Sequence, residues 1–204
     1  MRDQVWQLST ALSFLMLAGA AQASPILDQN NPPSGNLGLN DQLEFQQQVT
    51  DGIAGVLAGV TLFTKSGSDT DTVKIGVGSA FSTGPFAFTT TSTITTAGTF
   101  IDTSAANISL TAGEHFVIDV SGNPSNPGNG GLAGSASPYA GGDLYLFLGA
   151  PIDETSSAGE SMAFETFITV VPEPASLILF GIGLASLGLV HRRNRSSTDP
   201  AHCV

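Results

Sequence analysis

The sequence predicts an all-β domain, an antiparallel sandwich, carried between two apolar targeting segments. Three observations predict it. From Leu43 onward, short runs rich in Val, Ile, Phe and Thr alternate with clusters of Gly, Ser, Asn and Asp, the pattern of strands joined by turns. No stretch between Asp41 and Pro172 sustains the three-and-four spacing of apolar residues that would bury one face of a helix. Abundant Thr and Gly, with few Lys, Arg and Glu, also disfavour helix.

Residues 1–23 have the layout of a secretory signal peptide. Arg2 and the α-amino group supply positive charge, and the apolar run 11–18 is too short to hold a bilayer. Ala21 and Ala23 are the small residues a signal peptidase accepts, which places cleavage between Ala23 and Ser24. Residues 24–40, rich in Pro, Asn, Gly and Ser, are expected to be an irregular leader.

The sandwich domain is expected over 41–171, with strands near 43–49, 56–64, 72–78, 86–95, 99–102, 115–121, 143–148 and 162–171. Val73, Ile75 and Val77 alternate with polar or small residues, as do Phe116, Ile118 and Val120. In the last strand Met162, Phe164, Ile168 and Val170 share a face, interrupted by Thr166. About eight such strands imply a jelly-roll-like or immunoglobulin-like sandwich. Residues 121–142 carry so much Gly, Pro, Ser and Asn that they are expected to be a mobile loop.

The chain ends in a tripartite stretch. Pro172 and Pro174 fix φ and withhold backbone donors, so the last strand stops before them. Residues 175–190 carry no charge and, as a helix, span about 24 Å at a rise of roughly 1.5 Å per residue. A hydrocarbon core is about 30 Å thick, so this transmembrane helix is a marginal anchor, suited to holding the chain for a time. Arg192, Arg193 and Arg195 come next, and by the positive-inside rule they stay in the cytoplasm. The nine residues 196–204 form a cytoplasmic tail.

Pro172-Glu173-Pro174, an apolar helix and an arginine cluster in that order make residues 172–195 resemble the PEP-CTERM protein-sorting domain. The resemblance implies an exosortase as partner, an enzyme of Gram-negative bacteria that make extracellular polysaccharide. It implies that Pro172, Glu173 and Pro174 are recognised for processing, with transient anchoring in the inner membrane and delivery to the cell surface or matrix. The tail is longer than that family usually carries. Separately, Tyr139-Ala-Gly-Gly-Asp143-Leu-Tyr145 followed by Met162–Phe167 resembles the closing segment of secreted β-sandwich modules, which implies a jelly-roll fold and no particular reaction.

Composition excludes several function classes. Between Ser24 and Pro174 only Lys65 and Lys74 oppose fifteen acidic residues, which leaves no electrostatic footprint for nucleic acid. Cys203 is the only cysteine and lies in the tail, so the domain has neither a disulfide nor a thiolate nucleophile. His115 is the only histidine between the targeting segments, which removes two-histidine metal sites; it reads as an exposed residue at a strand's edge. Among the acids, Asp69, Asp71, Asp153, Glu154, Glu160 and Glu165 are the candidates for paired-carboxylate chemistry. Glu165 alternates away from the apolar face and reads as solvated. Asp69 and Asp71 lie in a turn-like Ser66–Thr72 stretch, where Asp ordinarily bonds nearby amides. The oxygen ligands there make this pair the sequence's candidate for Ca²⁺, although the twelve-residue Ca²⁺ loop pattern is absent. No other cofactor is expected. The domain reads as a non-catalytic structural or adhesive surface protein, with a carbohydrate-binding module on matrix polysaccharide as the alternative and a hydrolase third.

Overall fold

Period-two alternation dictates the architecture, because strands with one apolar face must bury it against another sheet. The computed structural model describes residues 23–34, 38–39, 43–78, 85–122, 131–148, 150–154 and 159–170. The signal-peptide residues up to 22 (Ala21 among them), Pro172, Glu173, Pro174, helix 175–190, Arg192, Arg193, Arg195 and the tail lie outside the described residues. All described residues belong to the unit Met1–Val170.

The strands in chain order are β1 (Ile26–Asn31), β2 (Gly38–Leu39), β3 (Glu44–Thr50), β4 (Gly55–Leu62), β5 (Ser68–Val77), β6 (Phe88–Thr95) and β7 (Thr99–Asp102). After a 3-10 turn at Ser104–Ala106 come β8 (Ser109–Leu110), β9 (His115–Ser121), β10 (Leu132–Ser135), β11 (Leu144–Phe147), β12 (Pro151–Asp153), β13 (Ser161–Met162) and β14 (Phe164–Thr169). One sheet runs β1-β14-β4-β7, with β8 also on β4; a second runs β12-β11-β3-β9-β5-β6; a small third runs β13-β10-β2. Every pairing is antiparallel.

The two large sheets close on one core. Leu57, Val60, Leu62, Phe164 and Ile168 come from the first, and Phe45, Val49, Val73, Ile75, Phe116 and Ile118 from the second. Leu132 and Met162, from the small sheet, join them. The result is an all-β, sandwich-like fold. Leaving aside the short strands β2, β8, β10 and β13 and the edge pair β11–β12, eight strands remain. Their chain order is first-eighth-third-sixth across one sheet and second-seventh-fourth-fifth across the other.

Strand ends match the residue pattern closely at β7 and β9, whose bounds coincide with the expected 99–102 and 115–121. Thr166, which interrupts the apolar face of β14, is fully buried and its Oγ1 accepts the Gln29 backbone N–H at 3.1 Å. That partner makes the polar interruption tolerable.

Three expectations are corrected. The leader is not irregular throughout: β1 pairs with β14, Ile26 opposite Ile168 and Asn31 opposite Phe164. Its polar residues hide the strand because they find partners, as when Asn31 Nδ2 donates to the Met162 carbonyl at 2.6 Å. Residues 121–142 are not loop throughout: β10 lies within them and is buried along its length. Leu132 fills core volume, while Ala133 receives a bond from Ala163 N–H and donates to the Phe63 carbonyl, at 2.9 and 2.8 Å. Asp69 and Asp71 do not sit in a turn. Both lie within β5 on the face of Val73 and Ile75, and both are buried.

Candidate functional site

One end of the sandwich gathers acidic side chains from separate elements. β1 carries a bulge between Leu27 and Gln29, which takes Asp28 out of the pairing register with β14. Its carboxylate accepts the Gly52 N–H, at 3.1 Å to Oδ1 and 3.2 Å to Oδ2. Gly52 belongs to the turn from β3 to β4. A Cβ there would stand 2.6 Å from Gln29 Nε2 and 2.8 Å from Asp28 Oδ1, so any larger residue would displace these side-chain ends.

Asp51, one residue earlier, is clamped by the turn between β8 and β9. Its N–H donates to the Glu114 carbonyl at 2.8 Å, and its own carbonyl accepts the Gly113 N–H at 2.7 Å. The Asp51 side chain is only 1% exposed, and neither carboxylate oxygen accepts a hydrogen bond. Burial, and then the adjacent Asp28 carboxyl and the Glu114 charge, push its pKa up to about 7. Glu114 accepts bonds from the Thr111 N–H and Oγ1 at 2.9 and 3.0 Å.

Tyr139 closes this end. Its ring meets Phe164 edge-on at 5.1 Å, and its hydroxyl donates to Gln29 Oε1 at 2.8 Å. Burial, reinforced by the Asp28 and Asp51 charges, pushes the phenol up to about 12. Thr50 Oγ1 donates to the Gly141 carbonyl and lies 3.0 Å from His115 Nδ1. His115 itself is exposed at the start of β9.

On the outer face of the second sheet, Lys74 Nζ lies 2.9 Å from Glu44 Oε1 and 3.0 Å from Asp119 Oδ1. Gln46 Nε2 donates to Asp119 Oδ2 at 2.6 Å, and the Phe86 ring lies 5.0 Å from the ammonium. Burial pushes Asp119 up to about 6, with the Lys74 and Gln46 bonds opposing and the Glu44 charge adding to the rise. Glu44 stays below its usual range: burial works against its charge, but the Lys74 bond and charge prevail.

On the outer face of the first sheet, Phe100 and Phe167 form an edge-to-face pair at 5.5 Å. Leu27 stands opposite Phe167 across the β1–β14 ladder. Gly59 lies beneath the Phe100 ring, where a Cβ would collide with it. Phe100 is 50% exposed, so this is an aromatic patch on the outer surface.

The candidate residues singled out from the sequence do not converge on one place. Asp69 and Asp71 face the sandwich interior, Glu165 is half-buried on the outer side of β14, and His115 is engaged with Thr50. Ala23 lies three residues before β1. Among the described residues, no group of three or more His, Cys, Asp or Glu side chains is arranged to hold a metal ion, and no helix is long and apolar enough to cross a membrane. Sequence reasoning misses the Asp28–Asp51 contact. Its signal is slight: an Asp-Gly turn after β3, and an Asp in a segment rich in Asn and Pro.

The final strand ends at Thr169, and the residues beyond it decide the delivery question. Residues 170–193 are a PEP-CTERM protein-sorting motif. The PEP-CTERM motif marks proteins that are exported and sorted to the cell surface or extracellular space, and it implies processing by an exosortase during export. No curated protein matches the chain. Among solved structures, the chain is similar to the cysteine protease and lectin-like domains of Cwp84, a surface layer associated protein of Clostridium difficile. The TM-score is 0.44 at 14% identity, over 64% of this chain and 32% of that one, so the chain spans about a third of that structure's length.

Proposed function

We propose that this PEP-CTERM protein is a non-catalytic component of the cell surface or extracellular matrix, with a structural or adhesive role. The observation that carries the reading is the sorting motif itself, which starts immediately after β14. A signal peptidase cuts after Ala23, leaving two residues before β1. The apolar segment 175–190 then holds the chain in the inner membrane with Arg192, Arg193 and Arg195 on the cytoplasmic side. An exosortase recognises Pro172, Glu173 and Pro174 and frees the domain. The strand order of the two sheets supports a jelly roll, a fold that implies no reaction by itself.

Replacing Pro172, Glu173 and Pro174 by alanine in the native host tests the sorting reading. An unprocessed form accumulating at the inner membrane is expected. Normal processing and surface delivery of that variant would overturn it.

The alternative, a module that binds matrix polysaccharide, is favoured by one observation: the exposed Phe100–Phe167 pair offers an apolar face on which a sugar ring can lie. A glycan array on the purified chain separates the two. Saturable binding lost in Phe100→Ala would displace the structural reading.

A further inference from the structure

The Asp51 carboxylate is buried and neither of its oxygens accepts a bond from an N–H or hydroxyl group; what it meets is a second carboxyl, that of Asp28. Burying a carboxylate without a donor or counter-charge costs several kcal/mol, so such a group either keeps a proton or meets a cation. No basic side chain meets that need among the described residues. Lys74 is committed to Glu44 and Asp119 on the outer face of the second sheet, and Lys65 is exposed beside Gly38. His115 presents Nδ1 to Thr50 Oγ1.

Oxygen acceptors gather at this end of the sandwich. Asp28 sits against Asp51, Glu114 adds a third negative charge from the β8–β9 turn, and Gln29 Oε1 and the Thr50 carbonyl stand where the Tyr139 hydroxyl reaches both. Carboxylate, amide and carbonyl oxygens form a hard donor set, which suits Ca²⁺ and not the nitrogen- and sulfur-preferring metals. Glu114 is turned toward Thr111, so the three acids do not yet converge as ligands.

We propose that Asp28 and Asp51, with neighbouring neutral oxygens, form a Ca²⁺ site that fastens β1 to the β3–β4 turn at this end of the sandwich. It is distinct from the Asp69–Asp71 pair suggested by the sequence. Two carboxylates give a low ligand charge, so the affinity belongs with the weak sites of extracellular modules, about 0.1–1 mM. That range suits a protein exported from the cell, where Ca²⁺ is not buffered to cytosolic levels.

The test is thermal unfolding of the full chain in detergent at pH 7.5, with EGTA or with 10 mM CaCl₂. A Ca²⁺-dependent rise of about 5 °C is expected. Asp51→Asn keeps the shape but removes the charge. Without Ca²⁺ it unfolds at the same or a higher temperature than the parent, because the Asp28–Asp51 repulsion is gone, and it loses most of the Ca²⁺ response. A role in packing alone would not reverse sign with Ca²⁺. Glu114→Gln weakens the response in part, and Glu165→Gln leaves it intact. No Ca²⁺-dependent shift in the parent, or a full shift in Asp51→Asn, would overturn the proposal and leave a shared proton as the occupant.

Discussion

Gln47 Oε1 accepts the Met162 backbone N–H at 2.9 Å, joining β3 of the second sheet to β13 of the small one. The same side chain donates from Nε2 to the carbonyls of Gly142 and Asp143, each at 3.3 Å. Gln47 is fully buried on the apolar face of β3, between Phe45 and Val49. It is the polar pin that sets the segment before β11 against the sandwich. Gln47→Leu keeps the volume but strands these backbone groups, at a cost of about 2–3 kcal/mol. Urea unfolding should show a lower midpoint with an unchanged slope; an unchanged midpoint would deny the pin.

Lys74→Met leaves Asp119 buried beside Glu44 with no cation. Removing one partner of a buried pair costs about 3 kcal/mol. Adding Asp119→Asn should recover part of that loss, because the uncompensated charge disappears. Equal stability of the single and double variants would show that Asp119 is already neutral at the pH of measurement.

In the absence of Ca²⁺, stability should fall as pH rises. The folded-state pKa of Asp51 is about 7 and that of Asp119 about 6, both above the ordinary 3.8. Between those limits the folded chain holds protons that the unfolded chain has released, so raising the pH favours unfolding. The groups facing Asp51 are Asp28, Glu114 and Tyr139; those facing Asp119 are Lys74, Glu44 and Gln46. Melting in EGTA at pH 5 and pH 8 should give the higher midpoint at pH 5, with the difference reduced in Asp51→Asn. A flat profile would contradict the assignment.

Gly59→Val should cost about 2 kcal/mol, since its Cβ meets the Phe100 ring and lies 2.7 Å from the Ile101 carbonyl oxygen. Phe100→Ala, at a half-exposed site, should change stability by less than about 1 kcal/mol. Comparable losses in both would mean that Phe100 packs far more than its exposure implies.

The strands legible in the sequence are those whose inner face is apolar. Phe116, Ile118 and Val120 define β9 to the residue, and Val73 and Ile75 define the second half of β5. Its first half stays hidden because the inward positions are Asp69 and Asp71. β1 escapes the pattern for a related reason: Asp28, Gln29 and Asn31 spend their polar groups on distant partners, in Gly52, Tyr139 and Met162. Local composition records polarity but not where a partner will stand. The sorting motif needs no such partner, being a linear signal with order and spacing of its own. The acidic end of the sandwich depends on a bulge and two turns far apart in the chain, and nothing local announces that meeting.

The position of β14 has a consequence for the timing of export. Among the described strands it is the last made, yet it lies inside its sheet, between β1 and β4. A chain emerging amino end first can therefore pair β4 with β7 early, but β1 must wait without its neighbour until residue 169 arrives. The sorting motif begins at the next residue. Completion of the fold and arrival of the processing signal are thus nearly simultaneous, so the membrane hold proposed above would give the sandwich time to close before release.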